Sequence, residues 1–357
     1  TMNKETKIYV AGHRGLVGSA IVINLKQKGY TNIITKTHKE IDLTNQQETA
    51  DFFAKEKPEY VFLAAGKVGG IVANNLYRAD FIYENLMIQN NVIHQSYVND
   101  VKKLLFLGST CIYPKNAHQP IKETELLTNE LEYTNEPYAI AKIAGIKICE
   151  SYNLQYNTNF LSVMPTNLYG PNDKFDLEKS HVLPALIRKI HLAKLLENNR
   201  IEAVLKELKV DRLEKAAAIL SKFGVTSKSV EIWGSGKPKR EFLWSEDMAD
   251  ACVYIMQNVD FKNLISSPLL GDAEGRGEEI RNTHINIGTG VDISIKELAE
   301  KIKNIVGFKG ELLFNTEKPD GTMRKVTDVT KIHNLGWKHT VELDEGIKRL
   351  YNWYISN

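Results

Sequence analysis

Apolar residues come in short runs separated by polar, helix-patterned stretches, and this alternation repeats through the first half of the chain. Lys7–Ala11 reads as a short apolar strand, after which Val17, Ala20, Ile21 and Leu25 recur at helical spacing. Asn32–Thr35, Tyr60–Gly66, residues 104–108 and Leu161–Pro165 are further strand-like runs, and the periodicity predicts long helices over 79–99 and 138–157. Asn85 and Asn90 stand out in the first of these helices as candidate buried polar residues. Strands apolar at consecutive positions are covered on both faces. Strand and helix in strict alternation predict an α/β protein with a doubly wound parallel sheet, its ligands beyond the C-terminal strand ends.

After Pro171 the pattern loosens. Ser180-His181-Val182 leads into a helix bearing Arg188 and Lys189, and residues 192–228 read as two or three short helices. Val230–Gly236 is a strand and turn, 245–257 a helix returning to the first domain, and 259–283 an aperiodic loop or lid. A strand over 284–288, a helix over 295–306, a polar loop over 318–325 and a helix over 343–355 complete the chain. The expected division is a first domain of 1–170 with returning segments 240–257 and 284–292. A smaller α/β domain takes 171–239, 258–283 and 293–357, and includes the helical insertion 192–228.

The candidate chemistry lies at strand ends. Gly12-His-Arg-Gly15-Leu-Val-Gly18 joins the first strand to the first helix. Gly12 permits the tight turn, Gly15 admits a pyrophosphate to backbone N–H groups, and Gly18 allows close helix packing. At the end of the second strand no acid follows to hold a ribose 2′-hydroxyl; Lys36, His38 and Arg14 suit a 2′-phosphate, which favours NADPH over NADH. Strand 104–108 delivers Ser109 and Thr110, and Tyr138 and Lys142 lie four apart on one helix face. Together these side chains can polarise a carbonyl and hand it a proton.

Composition narrows the class. A formal charge of +2 over 357 residues argues against a nucleic-acid partner. No apolar run approaches the roughly 20 residues of a membrane helix, and the N-terminal stretch lacks a signal-peptide core. Cys111, Cys149 and Cys252 are few and scattered, which points to a reduced, cytoplasmic protein. No His/Cys/carboxylate cluster has metal-ligand spacing.

The glycine turn, Lys67-Val-Gly-Gly-Ile, Gly108-Ser-Thr-Cys-Ile-Tyr-Pro, Asn135-Glu-Pro-Tyr-Ala-Ile-Ala-Lys and Met164-Pro-Thr-Asn-Leu-Tyr-Gly-Pro resemble the GDP-L-fucose synthase family of extended short-chain dehydrogenase/reductases. Ser180-His-Val, Trp233-Gly-Ser-Gly, Arg240-Glu-Phe-Leu and Lys318-Pro-Asp-Gly-Thr extend the resemblance over nearly the whole chain. It implies a Rossmann-type domain with a substrate-binding domain, a homodimer pairing through helices 79–99 and 138–157, and NADP(H) as cofactor. It further implies epimerisation at C3 and C5 of GDP-4-keto-6-deoxy-D-mannose, then reduction at C4. Ser109, Tyr138 and Lys142 would serve the reduction, with Cys111 and His181 as base and acid of the epimerisation. Regular strand alternation would put Cys111 on the side of Ser109; a lone cysteine there is otherwise a small core hydrophobe. By resemblance the cofactor would also meet Leu16, Val17, Asp42, Leu43, Ala64, Ala65, Pro165, Asn167, Leu168 and His181. The GDP-sugar would meet Asn167, Lys189, Trp233, Arg240 and Lys325.

The chain departs from the family pattern in its longer 192–228 segment, in Lys189 for an arginine and in Met323 for a proline. These departures make a GDP-4-keto-heptose an alternative substrate, epimerised by a separate enzyme. A hydride-recycling 4-epimerase or dehydratase is a further alternative, disfavoured by the missing acid after Thr35. A non-catalytic binding protein is disfavoured by the intact Ser109, Tyr138 and Lys142.

Overall fold

The computed structural model describes residues 2–265, 279–318 and 320–357, apart from the side chains of residues 71 and 72. The elements run β1 (Ile8–Ala11), α1 (Leu16–Gln27), β2 (Ile33–Ile34), α2 (Gln46–Glu56), β3 (Tyr60–Leu63), α3 (Ile71–Leu76), α4 (Arg78–Val98), β4 (Lys103–Leu107), α5 (Glu136–Tyr156), β5 (Phe160–Pro165) and β6 (Asn167–Tyr169). They continue with α6 (Val182–Glu197), α7 (Ile201–Leu208), α8 (Leu213–Lys222), β7 (Ser229–Trp233), β8 (Lys239–Trp244), α9 (Ser245–Asn258), β9 (Ile285–Ile287), β10 (Asp292–Ser294), α10 (Ile295–Val306), β11 (Glu311–Asn315), β12 (Arg324–Lys325), α11 (Thr330–Asn334) and α12 (Leu343–Ser356).

The first compact unit comprises Thr1–Leu168, Leu243–Gly290 and Thr327–Thr340. Its parallel sheet has the order β2-β1-β3-β4-β5-β9. Successive strand residues face opposite ways, and each face has its own core. Ile8, Val10, Phe62, Leu105 and Leu107 pack with residues of α1 and α9, whereas Tyr9, Ala11, Val61, Leu63, Leu104 and Phe106 pack with residues of α2, α4 and α5. This two-sided burial makes the sheet doubly wound, as its consecutive apolar positions predict. Gly145 lets α5 approach β4; a Cβ there would stand 2.3 Å from Phe106 Cζ.

The second unit comprises Tyr169–Phe242, Val291–Val326 and Val341–Asn357. In it β8 pairs antiparallel with β10 and parallel with β12, and β7 pairs parallel with β11. The 192–228 segment forms the end of α6, then α7 and α8.

This division differs from the expected one. Val259 and Phe261, assigned by sequence to the smaller domain, are buried in the first unit's core, as are Ile332 and Trp337. Of these, Val259 and Phe261 stand in the stretch expected to be an aperiodic loop. The central part of the expected lid, 266–278, lies outside the described residues. Asn85 is buried as expected, but Asn90 is exposed, and Asn91 takes the buried position, donating to Leu43 O at 2.9 Å.

Candidate active site

β4 ends at Leu107 and is followed by Gly108, where a Cβ would stand 2.3 Å from Met164 Cε. Ser109 is then extended (φ −161°, ψ 151°) and caps a single helical turn, Thr110–Ile112, its Oγ accepting from the Cys111 N–H at 3.3 Å. Strand alternation therefore does not reach Cys111. The backbone coils at Thr110 because the serine oxygen offers it a local acceptor. Cys111 nevertheless joins the same cluster, since charge on its sulfur acts on both Tyr138 and Lys142.

α5 begins with Glu136 and Pro137 in its first turn, where proline's missing N–H has no bond to lose. Lys142 is only 4% exposed; its Nζ donates to Leu107 O at 3.0 Å and lies 5.6 Å from the Tyr138 ring centroid. Burial pulls this ammonium down to about 8. Tyr138 is half-buried and meets Phe81 edge-on at 6.2 Å. Burial pushes its phenol well above the ordinary value, with Cys111 adding to the rise. The group is thus an acid that keeps its proton at neutral pH, not the lowered phenol that a neighbouring cation would make.

A second network underlies the Cys111 turn. The Tyr113 hydroxyl donates to Asn286 Oδ1 and meets His284 Nε2 at 3.1 Å, while Glu123 Oε1 accepts the Asn286 N–H at 3.0 Å. Burial pushes His284 down to about 3, so it is neutral. Sequence reasoning missed these residues because they come from three separate stretches. Asn85 ties down the Gly66–Gly70 loop in a similar way, bonding both Lys67 N and Lys67 O at 3.0 Å.

The glycine turn fits a dinucleotide. Gly12 (φ 84°) leaves no room for a side chain: its Cβ would meet the Ala64–Ala65 backbone at 2.7 Å, and a Cβ on Gly18 would lie 2.1 Å from Gly12 O. Gly15 caps α1 without a side chain, so the N–H groups of Leu16 and Val17 lack intrahelical acceptors and open toward an anion. His13 Nδ1, which sequence reasoning passed over, is buried there without a partner. Pro165, Asn167 and Leu168 are half-buried at and beyond the end of β5.

At the adenosine end the cations do not stand alone. Lys36 Nζ lies 3.7 Å from Glu40 Oε1 and His38 Nδ1 3.8 Å from Asp42 Oδ1. The Glu40 carboxylate accepts from Thr37 N (2.7 Å) and Thr37 Oγ1 (2.8 Å), which, with Lys36 and Arg14, hold it below its usual range. Thus an acid does reach the Lys36–Arg14 neighbourhood, by a turn. Its sequence signal is the Thr-x-x-Glu spacing of a capping pair. Asp42 is engaged by Thr44 N and Oγ1, at 2.9 and 2.7 Å, and Leu43 is buried.

In the second unit, Lys189 is buried, its Nζ donating to Glu231 O at 2.9 Å and lying 5.9 Å from the Trp233 ring centroid. Burial pulls it, too, down to about 8. Lys318, which the sequence did not single out, lies 5.3 Å from the same exposed indole. Arg240 is held by Lys239 O and Thr322 O at 2.8 and 2.5 Å, and Lys325 is its register partner across β8 and β12. His181 occupies the N-cap position of α6, exposed, and makes no side-chain cap bond. Among the described residues no His/Cys/carboxylate group could hold a metal, and none of the three cysteines forms a disulfide.

Residues 8–266 match the NAD dependent epimerase/dehydratase family model. The GDP-L-fucose synthase of Escherichia coli (strain K12) is 48% identical over 359 residues, covering 100% of this chain and 98% of that protein. Among solved structures, DdhaC is 62% identical with a TM-score of 0.88, covering 100% of this chain and 98% of its own. MlghC, the GDP-mannoheptose C4 reductase from Campylobacter jejuni with NADP bound, is 54% identical with a TM-score of 0.90, covering 99% of this chain and 100% of its own. The chain therefore belongs to the GDP-L-fucose synthase branch of the NAD dependent epimerase/dehydratase family.

Proposed function

We propose that the protein is an NADPH-dependent oxidoreductase that reduces the C4 ketone of a GDP-4-keto sugar, converting GDP-4-keto-6-deoxymannose, with epimerisation at C3 and C5, to GDP-L-fucose. The observation that carries this is the buried Lys142 bonded to Leu107 O at the end of β4 with the Tyr138 ring 5.6 Å from it, Ser109 and Cys111 following in the next turn of chain. NADPH, when bound, supplies the two electrons and the hydrogen that a carbonyl carbon takes up. Gly12, Gly15, Gly18 and the N–H groups of Leu16 and Val17 would hold its pyrophosphate, and Arg14, Lys36 and His38 its 2′-phosphate.

Tyr138 then gives its proton to the carbonyl oxygen, and Ser109 donates a second hydrogen bond to the same atom. The carbonyl acidifies the adjacent C–H bonds, so a Cys111 thiolate can take a proton from carbon and His181 can return one. Lys189, Arg240 and Lys325 supply cations for the diphosphate, with Trp233 as a wall. The relatives' GDP-sugar names and the bound NADP of MlghC support this reading.

A second reading, a C4 reductase of a GDP-4-keto-heptose, is favoured by the 54% identity to MlghC, against 48% to the E. coli synthase. The test is to offer GDP-4-keto-6-deoxymannose and NADPH in D₂O, following NADPH loss with deuterium at C3 and C5. Oxidation with deuterium at both carbons supports the first reading. Oxidation without it leaves a reductase alone, and no oxidation turns the assignment to the heptose. Failure on both sugars overturns the reductase.

We further propose a homodimer through α4 and α5, whose Tyr83, Val98, Ile140, Leu154 and Tyr156 are exposed apolar side chains; sedimentation as a monomer would overturn it. Among the described residues no helix is long and apolar enough to cross a membrane, and the undisulfided cysteines suit a cytoplasmic site.

A further inference from the structure

The helical segment 192–228 is wired to the loop that carries His181. α7 ends at Leu208, and Lys209 closes it in the left-handed region (φ 54°). This brings Glu207, in the last turn, against α6 and α12. Arg188 of α6 holds it by one hydrogen bond, Nη2 donating to Glu207 O at 2.9 Å, and its Nε lies 3.3 Å from Glu207 Oε1 as an ion pair. The Tyr354 hydroxyl of α12 donates to the same Oε1. Both charged side chains of this pair are half-buried, so solvent screens the pair only in part.

The far side of the bracket faces the loop. Arg188 Nη1 donates to Phe175 O at 3.0 Å, and the Phe175 ring stacks on Tyr354 with centroids 4.5 Å apart and planes at 27°. Trp353 stacks on the same ring more loosely, at 6.2 Å. Phe175 is thereby held by its carbonyl and its ring together, each through a residue that also holds Glu207.

From Phe175 to His181 the loop is bonded to itself. Asp176 Oδ1 accepts from Glu178 N (2.9 Å) and Lys179 N (2.8 Å), and Asp176 O accepts from Ser180 N at 3.2 Å. His181 O then accepts from Ala185 N and starts α6. These bonds tie Asp176 to Ser180, so the turn links the anchored Phe175 at one end to His181 at the other. The exposed Lys222–Glu178 contact of α8, at 3.5 Å, adds little.

We propose that Glu207 is a positioning residue: through Arg188 and Tyr354 it braces the 172–181 loop and so sets the His181 imidazole for proton transfer. The segment is then a working support for the acid rather than a peripheral cap. The functional half of this rests on the reading of His181 given above.

The test compares wild type with Glu207→Gln, which keeps the shape and removes the charge, and Tyr354→Phe, which removes one donor. Amide hydrogen exchange is measured alongside deuterium incorporated per NADPH oxidised on GDP-4-keto-6-deoxymannose; this ratio does not respond to a lowered fraction of folded enzyme. Glu207→Gln is expected to speed exchange of the 172–181 amides about tenfold or more while β7 and β11 keep their protection. The deuterium ratio is expected to fall about tenfold, and Tyr354→Phe to do the same to a smaller degree. Wild-type protection of 172–181 in Glu207→Gln overturns the brace, and a loosened loop with an unchanged ratio overturns its role in positioning. A wild-type enzyme that reduces without deuterium, or His181→Asn with full incorporation, sinks the reading of His181 instead, while the amide exchange still decides the brace.

Discussion

Lys142 in the first unit and Lys189 in the second are built alike. Each is under 10% exposed, donates to a backbone carbonyl at about 3 Å, lies between 5.6 and 5.9 Å from an aromatic ring centroid, and is pulled by burial to about 8. What differs is the company. Lys142 has a phenol and a thiol beside it, groups that carry protons. Lys189 has the exposed Trp233 indole with Lys318 near it, a second cation and a planar ring rather than proton carriers. On the proposed function, the same buried cation would serve proton transfer in one place and recognition in the other, according to its neighbours.

The contrast breaks most sharply at Tyr138. Tyr138→Phe keeps the ring against Phe81 but removes the acid, so kcat is expected to fall by about 10²–10⁴-fold with little change in the KM of the GDP-sugar. Stopped-flow absorbance at 340 nm checks both. Lys189→Met should show the opposite split: loss of a charge-assisted bond raises the sugar KM about 10- to 100-fold and leaves kcat nearly intact. A kcat loss equal to that of Tyr138→Phe would erase the distinction between the two lysines.

The pH response sharpens it further. A lysine at about 8 in the fold and about 10.4 in the unfolded chain binds fewer protons when folded between those values. Stability therefore rises with pH across that window as the cost of burying the charge is relieved. Diphosphate affinity moves the other way. The sugar KM of the wild type should climb by up to about tenfold per pH unit above 8, and stay flat in Lys189→Met. A flat wild-type profile to pH 10 would show that Lys189 keeps its charge.

The smallest effect is expected at Glu40, whose exposed carboxylate faces Lys36 and Arg14. Glu40→Gln should lower the NADPH KM about two- to threefold and leave the NADH KM alone, the size expected of an exposed ion pair. An equal change for both cofactors would place Glu40 outside the 2′-phosphate contact.

Much of this was legible beforehand where the signal was local. The glycine turn, the Tyr138–Lys142 spacing and helix Ile295–Val306 follow from contiguous residues, and the structure has each where the pattern puts it. Strand alternation, the condition for Ser109 and Cys111 to share a side, stops past Leu107, where a serine oxygen captures the backbone. Phe261, Ile332 and Trp337 fall in the other unit from the one expected, because a short apolar stretch carries no local signal of which core it will join. The Tyr113–His284–Asn286–Glu123 network left no local trace at all.

The sequence by itself determined the order of strands and helices, the side chains delivered at strand ends, and the family. These depend on periodicity, on steric demands of glycine and on spacing within one turn, all of which act over a few residues. Only the tertiary structure decided which charges are buried, and with them the lowered lysines and the raised phenol. It also decided that Glu40 turns back on Lys36 and that Glu207 meets the Arg188 and Tyr354 that hold Phe175. Desolvation and long-range ion pairs depend on what the rest of the chain packs around a group, and no stretch of sequence contains that environment.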